Sequence, residues 1–164
     1  MNTEGVLDFQ IRLEEQVSHI YQGIADQFLS DIGHETEWIT FWKELAGDEA
    51  NHASLLSIEK TFLQSGARFK EEVEVDPKVR AELDRLLSQC EKRVRSGMTE
   101  KDAIKVMDTL ERSEFNQIFS SLLRAINSRV LNHFGDFSKV YKEHERRIQQ
   151  AIRKYRYEIG PSAH

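Results

Sequence analysis

The feature that most constrains the fold is an apolar period of three to four residues that runs through four long segments of the chain. Apolar residues at this spacing share one face of an α-helix, and that face must be buried against another element. Between residues 38 and 63 the inward stripe is Trp38, Phe41, Trp42, Leu45, Glu49, His52, Leu56 and Leu63. Glu49 and His52 are ionisable, so their place in this stripe requires a partner, a metal ion or a hydrogen bond.

Start and stop signals predict where the helices of the first half lie. The first helix is predicted over residues 3–30, and the second runs from about 35 to 64. The pair Asp76-Pro77 predicts the start of a shorter, charged helix over residues 77–95, with Asp as the cap and Pro in the first turn. Residues 67–98 are therefore interpreted as the crossover between two helix pairs.

The second half predicts two more long helices. One begins after the cap residue Thr99. Its stripe is Ile104, Met107, Glu111, Phe115, Ile118, Leu122 and Ala125, and Glu114 lies on the flank of this stripe. The other begins between residues 129 and 136 and ends near Gly160. Its stripe is Phe137, Tyr141, His144, Ile148, Ile152 and Tyr155.

The composition fits long helices and argues against several classes of protein. The chain has only two prolines, and its net charge of −5 argues against nucleic acid as a partner. The single cysteine, Cys90, excludes an intramolecular disulfide framework and a four-thiolate metal site. No apolar run approaches the roughly 18 residues that a membrane span needs, and the first residues lack the features of a signal peptide. We therefore expect one cytoplasmic domain over residues 1–164.

Each of the four long helices carries a ligand-capable residue within its stripe. These residues are Glu14, Glu49 with His52, Glu111 with Glu114, and His144. In antiparallel helix pairs, residues near the middle of each helix face one another. Repeated burial of acids needs compensating positive charge, which a pair of divalent metal ions supplies.

This pattern resembles the ferritin-like superfamily, and most closely its rubrerythrin-like di-iron carboxylate proteins. The matching segments are Glu14-x-x-Val17-x-x-Ile20-Tyr21, Asp48-Glu49-Ala50-Asn51-His52-Ala53, and Glu111-x-x-Glu114 followed by Phe119. The resemblance covers roughly residues 4–158 without the crossover. It implies an all-α fold: a ferritin-like antiparallel four-helix bundle, with an additional short helix in the crossover between its second and third helices.

The resemblance also implies a role for each site residue. Glu14 would be a terminal ligand, Glu49 would bridge two metal ions, and His52 would bind one of them. Glu111 and Glu114 would supply the second half of the site. The implied cofactor is iron in a di-iron centre that is complete or lacks a ligand, with another divalent metal as the alternative. A homodimer and an external electron donor are also expected.

The last helix departs from the family pattern, which repeats a Glu-x-x-His or Glu-x-x-Glu there. If His144 takes the histidine position, Tyr141 stands where a bridging glutamate belongs. If Glu145 is instead the matching acid, Lys142 stands at the position of its partner. Both registers lose one carboxylate and leave ligands for one or two ions. The outer side of this helix is basic, which we interpret as a solvated face; docking of an acidic electron-transfer partner or of a subunit is the second interpretation, and nucleic acid the last.

Two functions follow as hypotheses. The first is a rubrerythrin-like metal protein, an oxidoreductase of ferroxidase or peroxidase type that acts on Fe(II) with peroxide or dioxygen. The alternative is a non-catalytic interaction protein on a degenerate ferritin-like scaffold, in which the buried acids pair with Lys, Arg or Tyr. A storage-cage ferritin is disfavoured because the crossover is a charged helix. Neither nucleic acid nor a membrane is expected as a partner.

Overall fold

The part of the chain that the structure describes contains six helices and no strands. This computed structural model describes residues 3–31, 36–66, 68–125 and 137–159, except for the side chains of 114, 137–141 and 155–159. The helices are α1 (Thr3–Ser30), α2 (Thr36–Gln64), α3 (Pro77–Arg95), α4 (Glu100–Glu111), α5 (Glu114–Ala125) and α6 (Phe137–Ile159). None of them is long and apolar enough to cross a membrane. The all-α prediction is confirmed for the described residues.

Local capping sets the helix starts that the sequence predicted around the crossover. The Asp76 carboxylate accepts a hydrogen bond from the backbone N–H of Lys78 at 2.7 Å, and Pro77 occupies the first turn of α3. Thr99 and Asp102 form a reciprocal capping box at the start of α4. These bonds satisfy backbone N–H groups that have no partner within the helix.

The segment before α3 is irregular, and it connects the end of one helix with the start of another. The backbone N–H of Lys70 donates to the carbonyl of Ala125 at 2.8 Å, and that of Val73 donates to Thr3 Oγ1 at 2.9 Å. Val73 and Val75 are buried against the core. The segment therefore fixes the end of α5 beside the start of α1.

Helices α1 and α2 pack antiparallel, which brings their middles to the same level. Near the start of α1, Asp8 pairs with Lys60 near the end of α2 at 2.8 Å. Further along α1, Ser18 Oγ donates to the carbonyl of Ala46 at 2.8 Å. Glu14 therefore lies opposite the turn of α2 that contains Glu49 and His52.

The stripe from Ile104 to Ala125 predicts one continuous helix, and that prediction is wrong. The helix ends at Glu111 and restarts at Glu114. The backbone N–H of Ser113 donates to the carbonyl of Leu110 at 3.0 Å, three residues back, and the Ser113 hydroxyl donates to the same carbonyl at 2.6 Å. Asn116 Nδ2 donates to the carbonyl of Glu111 at 3.0 Å. Side chains thus replace the backbone ladder at this point, a known competition for Ser and Asn.

An aromatic cluster joins α1 and α2 beside the buried acids. Trp42 is fully buried, as expected for a core residue, and its ring lies 5.7 Å from that of Tyr21 and 5.4 Å from that of Trp38. Aromatic contacts of this kind add stability beyond their buried area. The cluster holds Tyr21 in a fixed position, with its hydroxyl directed towards α4.

Candidate metal centre

Two groups of buried ligand-capable side chains lie side by side, and Glu49 belongs to both. The first group is Glu14, Glu49 and His52, and the second is Glu49, Glu111 and His144. In each group, one ligand atom from every residue lies within 4.8 Å of the others. The residues come from α1, α2, α4 and α6, so tertiary packing assembles the cluster from four separate helices.

In the first group a histidine lies between two carboxylates. His52 Nδ1 donates to Glu49 Oε2 at 2.9 Å and lies 3.5 Å from Glu14 Oε2. Gln10 Nε2 donates to the other oxygen of Glu14 at 2.7 Å. All these side chains are buried, and the Phe119 ring packs against that of His52 with a centroid distance of 4.7 Å. The imidazole and both carboxylates are thus held in place from several sides.

Burial and mutual contact redistribute charge within this first group. Burial raises the pKa of Glu14 to about 8, although the contact with His52 opposes the rise. Burial alone would also raise the pKa of Glu49, but the contacts of Glu49 with His52 have the larger effect and lower that pKa. Burial alone lowers the pKa of His52, whereas its contacts with Glu14 and Glu49 raise that pKa to about 10. Without metal, these contacts therefore favour a protonated His52 beside an anionic Glu49, with Glu14 the acid that takes up a proton more readily.

In the second group, His144 reaches across from α6. Its Nε2 lies 3.3 Å from Glu49 Oε1 and 3.8 Å from Glu111 Oε2. Glu111 is held by two donors, since Tyr21 donates to its Oε1 at 2.7 Å and Asn116 donates to its Oε2 at 2.8 Å. Burial, and then the negative charge of Glu111, raise the pKa of Tyr21 well above its ordinary value. Tyr21 therefore keeps its proton and remains a donor to Glu111.

The other nitrogen of His144 is held by a carboxylate outside both groups. His144 Nδ1 donates to Asp48 Oδ2 at 2.9 Å, and Arg147 donates to the same oxygen. Arg147 Nη1 also lies 3.2 Å from Glu44 Oε2. A proton fixed on Nδ1 leaves Nε2 facing Glu49 and Glu111. Carboxylates hold metal-binding histidines in this way, and they make the imidazole a better ligand.

The chemistry of the cluster fits divalent metal ions. Three carboxylates and two imidazoles form a set of oxygen and nitrogen donors, which suits iron, zinc and other borderline or hard cations. Among the described residues, Glu14 Oε2 and Glu49 Oε1 are buried oxygens without a well-formed hydrogen bond, since His52 Nδ1 lies 3.5 Å from the first and His144 Nε2 lies 3.3 Å from the second. Buried polar atoms normally have a partner, so these two oxygens are the positions at which a cation would be stabilised most. The donor set does not distinguish iron from other metals.

The structure brings together five of the six residues that the sequence predicted for the site. Glu14, Glu49, His52, Glu111 and His144 all face the cluster. Glu114 is the sixth predicted residue, and its side chain lies outside the described part of the structure. The same is true of the Tyr141 side chain. Burial distinguishes the two registers for the last helix. His144 is buried at the cluster, whereas Glu145 and Lys142 are exposed, so the register with His144 is the one observed.

Supporting residues were harder to identify from the sequence. Gln10 lies four residues before Glu14 on the first helix, and its amide holds the Glu14 carboxylate. Asp48 directly precedes Glu49, and Arg147 follows His144 by three residues, so both lie on the flanks of their stripes. The three-residue spacing between His144 and Arg147 places the two on one face of α6. It could therefore have indicated that both contact the same carboxylate, that of Asp48.

No family model, curated protein or solved structure matches this chain. The arrangement of donors within the described residues therefore carries the functional interpretation.

Replacing Asp48 by asparagine should weaken metal binding at the second group by about 10- to 100-fold, the usual effect of losing an outer carboxylate. The Asp48→Asn variant loses the charged acceptor that fixes the proton on His144 Nδ1. Competition with a chromophoric chelator for Zn(II) measures this change. Glu44→Gln is the matched control, because Glu44 also contacts Arg147 but is half exposed and does not touch His144. Equal affinity in the Asp48→Asn variant and the parent would contradict the assigned role.

Proposed function

We propose that this chain is a rubrerythrin-like member of the ferritin-like superfamily that binds two divalent metal ions, iron in the cell, and acts as an oxidoreductase on Fe(II) with peroxide or dioxygen. The main support is the pair of carboxylate–histidine groups that share Glu49. The supply of donors from four helices agrees with a ferritin-like bundle, in which inward side chains of facing helices build the site.

The residues would divide the work as follows. Glu14 and His52 would hold one ion, Glu111 and His144 the other, and Glu49 would contact both. When bound, the iron pair supplies electrons to peroxide or dioxygen, which the side chains alone cannot do. Asp48 keeps the His144 proton on Nδ1, and Tyr21 donates to Glu111. Metal binding would release the proton that His52 holds between Glu14 and Glu49.

One observation favours the second candidate, a metal-free interaction protein on the same scaffold. The pKa of His52 and that of His144 are both raised to about 10, as contacts with neighbouring carboxylates outweigh the opposing effect of burial. Two imidazolium ions therefore offset much of the buried negative charge without any metal. In that case the cluster would be a structural ion-pair network, which also perturbs pKa values.

Reconstitution with Fe(II) under anaerobic conditions discriminates between the two functions. We expect elemental analysis to give about two iron ions per chain after gel filtration, and the bound iron to be oxidised by peroxide faster than free Fe(II) at the same pH. Protein that holds no iron after reconstitution would contradict the metal function. Iron that binds but is oxidised no faster than free Fe(II) would contradict the oxidoreductase assignment alone. The homodimer and the external electron donor stay predictions.

A further inference from the structure

A surface cavity lies beside the cluster, at the break between α4 and α5. It has a volume of about 420 Å³ and is lined by Glu111 and Asn116 on one side and by side chains of α6 on the other. Larger cavities occur elsewhere, including one of about 750 Å³ at residues 3–4, 63–64 and 68–74, but none of the cluster residues lines that one. We call the smaller cavity the α6 cleft.

Glu111 connects the α6 cleft with the cluster. It lines the cleft, and its Oε2 lies 3.8 Å from His144 Nε2. The Glu111 side chain is 10% exposed, whereas those of Glu14, Glu49, His52 and His144 are 0–3% exposed. Glu111 is thus the ligand-capable residue of the cluster that solvent reaches most easily, and solvent reaches it from this side.

The helix break makes this access structurally feasible. Asn116 occupies the first turn of α5, and its amide donates both to the backbone carbonyl and to the carboxylate of Glu111. The Glu111 carboxylate is therefore held at the wall of the cleft, with Tyr21 bonded to its other oxygen from the core side. A continuous helix here would satisfy the Glu111 carbonyl through its own backbone.

Cations outnumber acids among the side chains that line the cleft, although the chain as a whole is acidic. Lys142, Arg146 and Arg153 line it, against the acids Glu111 and Glu145. Arg146 pairs with Glu143 outside the cleft, with its Nε 3.0 Å from Glu143 Oε2, while Lys142 and Arg153 remain as further cations at the rim. The net charge of the whole chain is −5. A concave surface lined by cations concentrates small anions at its base.

We propose that the α6 cleft is the entrance to the metal centre and that it admits small inorganic anions, which Lys142 and Arg153 attract and which bind at the metal beside Glu111. This inference rests on the proposed function, since the anion needs a bound metal ion. It gives the basic side of the last helix a role beyond that of a solvated face.

Azide binding to the Co(II)-loaded protein tests this inference, because ligand changes at Co(II) alter its visible absorption spectrum. We first measure Co(II) affinity in the parent, in the double variant Lys142→Gln/Arg153→Gln, and in a control, Arg85→Gln/Lys92→Gln. The control removes two exposed cations from α3, away from the cleft. We expect all three proteins to bind Co(II), because none of these residues is a ligand, and the cleft variant to bind it more tightly, because two cations that repel Co(II) are lost; azide is therefore added to each protein at saturating Co(II).

Azide titration then separates the possible outcomes. We expect azide to change the Co(II) spectrum of the parent and the control equally. It should bind about fivefold more weakly to the cleft variant, the effect of two unit charges at roughly 8–10 Å in a solvent-like medium. Added inert salt should reduce that difference. Intact Co(II) binding with no azide response, or with equal azide affinity in both variants, would overturn this inference and leave the proposed function standing. A parent that binds no Co(II) would overturn both.

Discussion

Replacing Glu49 by glutamine is expected to abolish the stabilisation of this protein by divalent metal ions. Glu49 is the one residue that belongs to both ligand groups, so this change removes a charged donor from each of them. For the parent, a metal ion at 1,000 times its dissociation constant should add about 4 kcal/mol to the free energy of unfolding. In a chain of this length that amounts to a rise in Tm of roughly 8–16 °C. Thermal unfolding with and without Fe(II) or Zn(II) measures the difference.

Glu59→Gln is the matched control for this experiment. Glu59 also lies on α2 and is fully buried, and in the described structure its carboxylate oxygens accept no hydrogen bond. It belongs to neither ligand group. The Glu59→Gln variant should therefore keep the full metal-dependent rise in Tm. A Glu49→Gln variant that keeps this rise, or a Glu59→Gln variant that loses it, would contradict the assignment of the centre.

The second large effect concerns the metal-free protein. Replacing His52 by alanine should lower the free energy of unfolding by about 3–5 kcal/mol, because the change removes the cation from between buried carboxylates. Urea denaturation at pH 6 in the presence of a chelator measures this loss. His19→Ala, on the exposed face of α1, should change stability by less than about 0.5 kcal/mol.

The pH dependence of this stabilisation has a definite sign. Burial opposes the charged form of His52, but contacts with Glu14 and Glu49 raise its pKa from 6.5 to about 10 in the folded protein. A raised folded-state pKa stabilises the protein fully below pH 6.5, and this stabilisation is lost as the pH rises towards 10. The difference in stability between the parent and the His52→Ala variant should therefore shrink from pH 6 to pH 9. A constant difference over this range would show that His52 contributes only packing.

The helices could be predicted from the sequence because their signals are local. The 3.6-residue period marked the buried faces, and caps such as Asp76 and Thr99 marked the ends. The cluster could be predicted for a related reason. An acid in the middle of an apolar stripe, such as Glu14 or Glu49, needs a partner wherever the helix packs. Four such stripes therefore indicated a shared polar centre before any tertiary contact was known.

Contacts that depend on the relation between helices could not be predicted in the same way. Asp48 lies on the flank of its stripe, and its partners His144 and Arg147 are nearly one hundred positions away. Their pairing depends on how α2 and α6 are rotated against each other, which neither helix determines alone. The interruption after Glu111 is not visible in the apolar stripe, because it depends on the side chains of Ser113 and Asn116, which bond to backbone carbonyls.

The motif in the last helix left two registers open, and the sequence alone could not decide between them. The pattern Tyr141-x-x-His144 lacks the glutamate that the family places beside its histidine, and Glu145 offered another match. Packing decides in favour of His144, which is 2% exposed and faces two carboxylates of the cluster. Among the described residues, the site thus has a histidine in each half and three carboxylates.

The most direct test of the metal centre is an anomalous difference map from crystals grown anaerobically with Fe(II), with data collected on both sides of the iron absorption edge. We predict two peaks beside Glu49, one next to His52 and Glu14 and the other next to His144 and Glu111. A map with no peak among these side chains, from crystals that contain bound iron elsewhere, would contradict the metal centre described here.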